Sequence, residues 1–580
     1  MRQLLGYLRP YTLRMALGLS IKFTGSVMDL LLPWGLSELI DSVAPTGSVP
    51  RILLWGLGML ACAVVAVVTN VVANRMAGRV ARDATRRIRH DLFAKSALLS
   101  CAQVDSVTIP SLESRLTTDT YNIHQMLGQI QRMGVRAPIL LIGGILITMR
   151  MEPVLTLVLV AMLPFAGILV FWVSRRGIPL YAGLQRAIDR MVRIARENIS
   201  GIRVVKALSK TEYEKQRFDR VNTEVARRER RAGSIMAATN PGMSLMLNFG
   251  LTLVILLGAH RVDLGLTQTG KIIAFLSYFT IILTAMQSVT RIFVVLSKAG
   301  ASADRIAEIL NLPADLEVEP LPEGHPAAAA AGAPYHILFE NVSFAYPNHK
   351  HTLHNIGFAL KRGETLGIIG PTGCGKSTIL QLLMRLYDVE PGEGRIEIDG
   401  MPIRSIPREA LHTMFGVVFQ SDALFADSIA ENIDFGRSLP EGRLEQAAQY
   451  AQAWPFIAEL PERLGHRLTS RGTNVSGGQK QRILIARALA AQPEILVLDD
   501  SSSALDYKTD AALRRAVRRS CKGGTAVIVA QRVSSILHAD HILVLENGRA
   551  LGYGSHEELL ERCGEYREIY QAQMGGGAHA

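Results

Sequence analysis

Six long apolar runs fill the first half of the 580-residue chain and constrain its fold more than any other feature. A bilayer core of about 30 Å needs about 20 mostly apolar residues for one helical crossing. The sequence therefore predicts a six-span helical membrane bundle, followed in the second half by an α/β domain. The six predicted spans are residues 13–38, 52–74, 130–150, 153–174, 241–260 and 271–294.

Basic residues are concentrated between these runs. The formal net charge is +12, and Arg and Lys crowd into Arg75–Arg115 and Arg175–Arg231. Cytoplasmic loops carry an excess of Lys and Arg, so both stretches and both termini are expected in the cytoplasm, on one side of a lipid bilayer. The charge is not spread like a nucleic-acid footprint, and no nucleic-acid partner is expected. The five scattered cysteines have no metal or disulfide spacing and fit a reducing compartment.

Several predicted spans contain charged side chains. Lys22 and Asp29 lie seven residues apart on one face of the first span, while Arg136 and Arg291 lie in the third and the sixth. Charged residues are costly in a bilayer and usually face a cavity or a partner. For Asp29, nearer the middle of the membrane, we favour a hydrated cavity. For the three cations, which are near span ends, we favour snorkelling or hydrogen bonds between helices.

The composition changes sharply after Leu312. The stretch LPADLEVEPLPEGHPAAAAAGAP combines prolines, acids and an alanine run, as linkers do, and we expect it to pack against nothing. A helix that caps the neighbouring domain is the alternative. We therefore divide the chain into a membrane domain (residues 1–311), a linker (312–334) and a nucleotide-binding domain (335–580).

A phosphate-binding loop, the Walker A motif, stands in the context that it requires. The strand-like run Thr365–Ile369 leads into GPTGCGKST, and a helix pattern follows. In such a turn the backbone N–H groups wrap phosphates, the lysine reaches the β- and γ-phosphates, and the hydroxyl after it binds Mg²⁺. The sequence thus predicts ATP and Mg²⁺ as cofactors. The predicted binding residues are Gly370, Pro371, Thr372, Gly373, Cys374, Gly375, Lys376, Ser377 and Thr378.

Two further motifs follow along the chain. The apolar run ILVLDD ends in two carboxylates, which is the Walker B arrangement, and Asp499 is expected to hold Mg²⁺. The string NVSGGQKQR precedes a helix pattern and would place bare N–H groups at a helix N-terminus, as a second anion site. The residues of that predicted site are Ser476, Gly477, Gly478 and Gln479.

These motifs, in this order after six spans, resemble an exporter-type half-transporter of the ATP-binding-cassette (ABC) family over essentially the whole chain. The resemblance implies that Tyr346 stacks on adenine, and that Gln420 senses Mg²⁺ and couples to the membrane domain. It also places the D-loop at residues 503–506 and the two coupling helices within Leu116–Met126 and Lys206–Glu214. The family functions as a dimer, in which each ATP lies between one subunit's Walker motifs and the other's SGGQ.

Two positions depart from the family's pattern. Walker B ends Asp-Glu in the family, whereas Asp500 stands here, and the missing methylene retracts the carboxylate by about 1.5 Å. The family's switch histidine is Gln531, which can bond a phosphate but cannot share a proton. With Gln420, these two residues form a degenerate catalytic set. The pairing resembles the degenerate subunit of bacterial heterodimeric multidrug exporters, whose partner carries the catalytic Glu and the switch His.

The expected protein is thus half of an ATP-driven exporter of small, drug-like or lipophilic molecules in a bacterial plasma membrane. It is an ATPase-coupled translocase with weak hydrolysis at its own site, and its SGGQ completes the site of a second half-transporter. Three alternatives stay open: a homodimeric exporter with slow hydrolysis at both sites, an exporter-fold importer of a metal chelate, and an ATP sensor without transport. The sequence does not name the substrate.

Overall fold

The computed structural model divides into two compact units. The first comprises Met1–Ala97 and Pro110–Leu312, and the second comprises Leu98–Ile109 and Pro313–Ala580. The small segment Leu98–Ile109 therefore belongs to the second unit, although it lies within the first half of the chain. The structure describes residues 2–313, 315–321, 333–347, 351–421, 423–501, 509, 511–513, 515–516 and 524–574.

Six helices of the first unit are long and apolar enough to cross a membrane, so the six predicted spans are confirmed. They are 41 to 53 residues long. At a rise of 1.5 Å per residue this is about 60 to 80 Å, well beyond a bilayer core of about 30 Å. We call them the first to sixth membrane helices. In chain order they are Gly6–Thr46, Val49–Ala97, Ile109–Met151, Pro153–Ser200, Thr211–Asp263 and Thr269–Asn311.

Three of these helices are built from shorter pieces. The first, which follows a short helix at Arg2–Leu5, is α-helical over Thr12–Glu38 and turns to π-helix at Leu39–Val43. The fifth combines Thr211–Ala237 and Thr239–Asp263. The third joins α-helical segments through two π-helical turns, which locally re-aim the side chains that follow. Its pieces are Ile109–Ser114, Arg115–Asp119 (π), Thr120–Gln129, Ile130–Gly134 (π) and Val135–Met151.

The first coupling helix is not where the sequence placed it. Leu116–Met126 lies inside the third membrane helix, so that prediction is wrong. The separate short helix is Cys101–Val107, which begins with a capping box. There the Ser100 hydroxyl accepts a hydrogen bond from the N–H of Gln103, and the side-chain oxygen of Gln103 accepts one from the N–H of Ser100. This Ser-x-x-Gln signal was present in the sequence and would have located the helix.

The second predicted coupling segment does not coincide with one helix. The short helix there is Ile202–Ala207, and a turn at residues 208–210 separates it from the fifth membrane helix. Lys206–Glu214 therefore covers the end of the short helix, the turn and the first residues of the next helix.

Ten strands in the described part of the second unit form two sheets. The four-stranded sheet, in the order β2-β1-β4-β5, is antiparallel, and the six-stranded sheet has the order β10-β9-β3-β8-β7-β6. In the larger sheet β9, β3, β8, β7 and β6 run parallel. The strands are Ile337–Ala345 (β1), His351–Leu360 (β2), Thr365–Ile369 (β3), Arg395–Ile398 (β4), Met401–Pro402 (β5), Phe415–Val418 (β6), Ile495–Asp499 (β7), Thr525–Val529 (β8), His541–Glu546 (β9) and Arg549–Gly554 (β10).

Helices cover the six-stranded sheet, which explains its apolar sequence. Every residue of β7 is buried, as is typical of parallel strands that are covered on both faces. The predicted α/β domain is therefore confirmed. Besides Cys101–Val107, the α-helices in the described part of this unit are Lys376–Leu383, Arg408–Thr413, Ile429–Asp434, Glu441–Tyr450, Trp454–Glu459, Gly477–Ala490, Val533–Ile536, His556–Arg562 and Gly564–Met574.

The acidic start of the predicted linker contacts the second unit. Asp315 forms an ion pair with Arg408. Glu319 pairs with the guanidinium of Arg404 at 2.6 Å, and its N–H donates to the Arg404 carbonyl at 2.9 Å. The expectation that this segment packs against nothing is therefore wrong for its acidic start. Residues 322–332, with the alanine run, lie outside the described residues.

Candidate functional site

One edge of the six-stranded sheet brings the separate motifs together. Four parallel strands, β3, β8, β7 and β6, are neighbours, so their carboxyl ends lie side by side. They lead into Gly370, Gln531, Asp500 and Gln420, respectively. Ligands of parallel α/β sheets bind outside the carboxyl ends of the strands. The topology therefore assembles a site from residues that are far apart in the sequence.

The phosphate loop needs glycine where its backbone lies against the sheet. Gly375 has a φ of +102°, and a Cβ there would lie 2.5 Å from the Cδ2 of Leu353. A Cβ on Gly370 would lie 2.1 Å from the carbonyl oxygen of Leu545. A side chain at Gly370 would displace the backbone of β9, and one at Gly375 would be strained by the left-handed backbone and would push the Leu353 side chain aside. The loop conformation that cradles phosphate thus depends on these two glycines.

Lys376 folds back over the loop. Its ammonium donates to the carbonyl oxygens of Gly370 at 2.8 Å and of Pro371 at 2.7 Å. The same residue begins the helix Lys376–Leu383, whose N-terminus carries a partial positive charge. An ammonium and a helix N-terminus at one loop are the two features that attract a phosphate chain.

The hydroxyl and the carboxylate predicted to hold Mg²⁺ are in contact. Asp499 ends β7 with 5% of its surface exposed, and Ser377 hydrogen-bonds its carboxylate. Burial raises the pKa of Asp499, while the Ser377 hydrogen bond and the charge of Lys376 oppose this shift. A buried carboxylate beside a hydroxyl suits a hard cation with oxygen ligands. The residues present therefore fit Mg²⁺, and Gln420, the third predicted ligand, lies exposed at the same edge.

The two residues that depart from the family's pattern contact each other. The side-chain amide of Gln531 donates to the Asp500 carboxylate at 2.8 Å. The N–H of Asp500 donates to the Val529 carbonyl at 3.0 Å, which fixes the two loops beside one another. Burial and the neighbouring charge of Asp499 raise the pKa of Asp500. The sequence predicted both departures but not this contact.

Gln573 contacts the loop that carries Gln531, and no sequence motif pointed to it. It lies in the helix Gly564–Met574 at the end of the described chain. Its amide donates to the carbonyl of Gln531 at 2.9 Å, and its side-chain oxygen accepts the N–H of Val533 at 2.7 Å. This side chain therefore holds the backbone on both sides of Arg532.

Tyr346 lies beside the helix that follows the phosphate loop. Its hydroxyl is within hydrogen-bond distance of Thr378, at 3.1 Å, and of Gln381. Its ring meets those of Phe344 and Tyr387 edge to face, with centroids 5.0 and 5.1 Å away. These contacts fix the ring next to the loop, and stacking on adenine stays a prediction.

The SGGQ motif begins the helix Gly477–Ala490. Part of the predicted bare backbone is used in a capping box: the N–H of Gln479 donates to the Ser476 hydroxyl, and the N–H of Ser476 donates to the Gln479 side chain. Ser476 and Gly477 are exposed. The motif is therefore a helix cap and an exposed N-terminus together. The predicted D-loop, residues 503–506, lies outside the described residues.

A second group of predicted residues lines a cavity in the first unit. Lys22, Arg136 and Arg291 all face a cavity of about 530 Å³. Asp29 forms an ion pair with Arg136 at 3.0 Å. The expected hydrogen bonds between helices are formed by Lys22, which bonds Asn74 at 3.1 Å, and by Arg136, which pairs with Asp29. The shared cavity is the interpretation that we did not favour for these cations. They come from the first, third and sixth membrane helices, which meet around the cavity.

The short helix Cys101–Val107 is attached within the second unit by side chains that the sequence analysis did not select. The Tyr387 hydroxyl donates to the Asp105 carboxylate at 2.5 Å. Gln103 donates to the Pro313 carbonyl at 3.4 Å. Tyr387 also touches Tyr346, so this helix is two side chains away from the phosphate loop.

Comparisons with known proteins agree with this architecture. Residues 15–286 match the ABC transporter transmembrane region, and residues 353–503 match the ABC transporter family. An uncharacterized ABC transporter ATP-binding protein of Bacillus subtilis, YfiB, is 34% identical, over 99% of this chain and 99% of that protein. One from Mycobacterium tuberculosis is 32% identical, over 98% and 97% of the two chains. The structure of a bacterial Atm1-family ABC exporter with ATP bound shares the fold, with a TM-score of 0.81, 24% identity and 98% coverage of both chains.

Proposed function

This chain belongs to the ABC transporter family, and we propose that it is the subunit of a heterodimeric exporter whose own site binds ATP with little turnover. Membership makes it an ATPase-coupled, multi-pass membrane transporter with the exporter fold. The proposal goes further on three points: the division of labour between two ATP sites, the partner and the cargo.

The hydrogen bond between Gln531 and Asp500 is the observation that carries the proposal. A general base must reach the attacking water with a free carboxylate oxygen at hydrogen-bond distance. Here one oxygen of a shortened side chain already accepts the Gln531 amide at 2.8 Å. An amide cannot pass on a proton as an imidazole can. The pair therefore stabilises a closed loop and disfavours the activation of water.

The residues for ATP binding are retained beside this altered pair. Lys376 and the backbone of Gly370–Thr378 would hold the phosphates, and Tyr346 the adenine. Ser377 and Asp499, with Gln420 at the same edge, would hold Mg²⁺. That ion, when bound, neutralises charge between the β- and γ-phosphates. The site thus has what binding requires and lacks the usual groups for hydrolysis.

A second half-transporter would supply the hydrolytic site. The exposed Ser476 and Gly477 support this, because an exposed helix N-terminus can bind a phosphate of ATP that another subunit holds. We expect the partner to carry a Walker B Glu and a switch His. The proposed cargo is a small, drug-like or lipophilic molecule, and the proposed location is a bacterial plasma membrane. The bacterial origin of the relatives supports that location.

ATPase assays on the co-purified pair test the proposal. Asp500→Asn should leave steady-state turnover within about twofold, because the hydrolytic site lies elsewhere. Substitution of the partner's Walker B Glu by Gln should lower turnover by about 10² to 10⁴-fold, the usual contribution of a general base. Asp499→Asn is the matched control on the same strand, since it removes a Mg²⁺ ligand and weakens ATP binding. Loss of turnover in Asp500→Asn alone would contradict the proposal.

A further inference from the structure

The cavity of the first unit has an unusual charge. Four of its lining residues are cations that come from three membrane helices, and the remaining wall is formed by neutral side chains. Among the described residues, one carboxylate forms an ion pair with one of these cations: Asp29 pairs with Arg136. The four cations are Lys22, Arg132, Arg136 and Arg291.

Among the described residues, Lys22 and Arg132 form few hydrogen bonds for the number of donors that they carry. Lys22 is 97% buried, and its ammonium, which has three donors, bonds the side-chain oxygen of Asn74 at 3.1 Å. Arg132 uses its Nε for the carbonyl of Gly128 at 2.9 Å. Each guanidinium has five donors. The cavity therefore brings several charged N–H donors together, and its other polar lining side chains are neutral amides and hydroxyls.

The cations lie far from the outer ends of all three helices. With the N-terminus in the cytoplasm, Lys22 lies sixteen residues before the end of Thr12–Glu38, about 24 Å from its outer end at 1.5 Å per residue. The same count places Arg136 about 22 Å, and Arg291 about 33 Å, from the outer ends of their helices. All three thus lie farther from the outer ends of their helices than half the thickness of a bilayer core of about 30 Å.

The neutral part of the lining suits an apolar body. Thr280, Thr284 and Ser288 form a stripe along the sixth membrane helix, spaced four residues apart. Each hydroxyl donates to the carbonyl one turn earlier, at 3.1, 2.8 and 3.0 Å, so its proton is not directed at the cavity. Ile281, Leu140 and other aliphatic residues line the space between. The cavity therefore combines four cations with aliphatic side chains and with hydroxyls whose protons are already used.

We infer that this cavity binds amphipathic anions, with a carboxylate or phosphate head held by Lys22, Arg136 and Arg291 and an apolar body along the sixth membrane helix. A cluster of cations within a membrane domain that is only partly compensated by carboxylates favours an anion. The inference rests on the proposed transport function and names its substrate class. It narrows the lipophilic cargo of that proposal to molecules that carry an acidic head.

A matched pair of probes tests the inference. The full chain, co-purified with the half-transporter that accompanies it, is placed in phosphatidylcholine nanodiscs. Binding of dansyl-undecanoic acid is compared by fluorescence with binding of its primary amide, which has the same body and a neutral head. The acid should bind roughly tenfold more tightly, because one lost charge pair at a binding site costs at least that factor. Equal affinity for acid and amide overturns the inference.

Some variants should weaken binding of the acid and one should strengthen it, so that misfolding alone cannot explain the results. Lys22→Gln and Arg136→Gln should remove most of the preference for the acid. Arg150→Gln is the control, because Arg150 is an exposed cation at the other end of the helix that carries Arg136. It should keep the preference, and an equal loss there contradicts the inference. Asp29→Asn removes the carboxylate that competes for Arg136 and should strengthen binding of the acid.

Two additional measurements complete the test. The first identifies the source of the anion, and the second distinguishes a failure of this inference from a failure of the proposed function. If phosphatidylglycerol in the nanodiscs competes with the acid, a lipid headgroup is the anion, and if it does not, a free amphipathic anion is. Both results support an anion site. ATP turnover is followed in the same samples. Loss of head-group preference with intact, partner-dependent turnover overturns this inference and leaves the proposed function standing.

Discussion

The two units position their functional charges by different physical means. In the nucleotide unit Lys376 and Asp499 belong to short motifs at strand ends, and the parallel sheet brings them together. In the membrane unit Lys22 and Arg136 come from separate helices, and no local motif marks them. The first arrangement can be recognised in a sequence, whereas the second requires the packing of helices. Substitutions should therefore have separable effects, on ATP in one unit and on cargo or stability in the other.

The largest expected effect is on ATP binding. Lys376→Ala removes the ammonium at the phosphate loop, and loss of one member of a charge pair costs about 2 to 5 kcal/mol. The affinity for ATP should fall by about two orders of magnitude, as measured by titration with a fluorescent ATP analogue. Lys361→Ala, at an exposed lysine of the same unit, is the control and should bind normally. An unchanged affinity in Lys376→Ala would show that the loop does not hold the phosphates.

The buried carboxylate of Asp119 in the membrane unit should contribute to stability rather than to cargo binding. Asp119 is 99% buried and accepts hydrogen bonds from Arg305 and Ser302. Arg305→Met leaves that carboxylate without its cation and should cost about 2 kcal/mol, less than a fully buried pair because Arg305 is half exposed. Thermal unfolding should shift down by several degrees, while ATP binding by the purified protein stays normal. A Tm equal to that of the wild type contradicts a structural role.

The pH dependence of ATP binding should report Asp499. Burial raises its pKa, so this carboxylate takes up a proton at a pH where an ordinary aspartate is still ionised. Protonation removes a Mg²⁺ ligand, and the affinity for Mg²⁺-ATP should therefore fall as the pH falls from 7 towards about 5. Asp499→Asn should bind weakly and lose this dependence, whereas Asp500→Asn should retain it. A wild-type profile that matches that of Asp499→Asn would exclude Asp499 as the titrating group.

The smallest expected effect concerns the segment of the first half that packs in the second unit. Tyr387→Phe removes the hydrogen bond to Asp105 and keeps the ring against Tyr346. Such a bond to a charged group contributes about 1.5 to 3 kcal/mol. Basal ATP turnover of the pair should change little, while its stimulation by cargo should decrease about twofold or more. Equal stimulation in wild type and variant would mean that the short helix Cys101–Val107 does not transmit the signal.

The sequence predicts a feature well when the residues that form it lie close together along the chain. The phosphate loop, β3 and β7 depend on local patterns, and their positions agree with the sequence analysis. The contact between Asp500 and Gln531 depends on the register of β7 and β8, which local patterns do not contain. Gln573 reaches the switch loop from forty residues away, so no motif includes it. Three of the four cavity cations were selected in the sequence, but they were assigned to snorkelling or to hydrogen bonds between helices, because their convergence on one cavity arises only from helix packing.

The ATPase rate of the isolated chain tests the central claim most directly. The full chain, purified without any second half-transporter, should bind ATP but hydrolyse it at a rate close to the background of Lys376→Ala. Asp500→Glu combined with Gln531→His should raise that rate, because it restores a longer carboxylate and an imidazole at the two altered positions. Brisk hydrolysis by the isolated wild-type chain that Asp500→Asn abolishes would contradict the account.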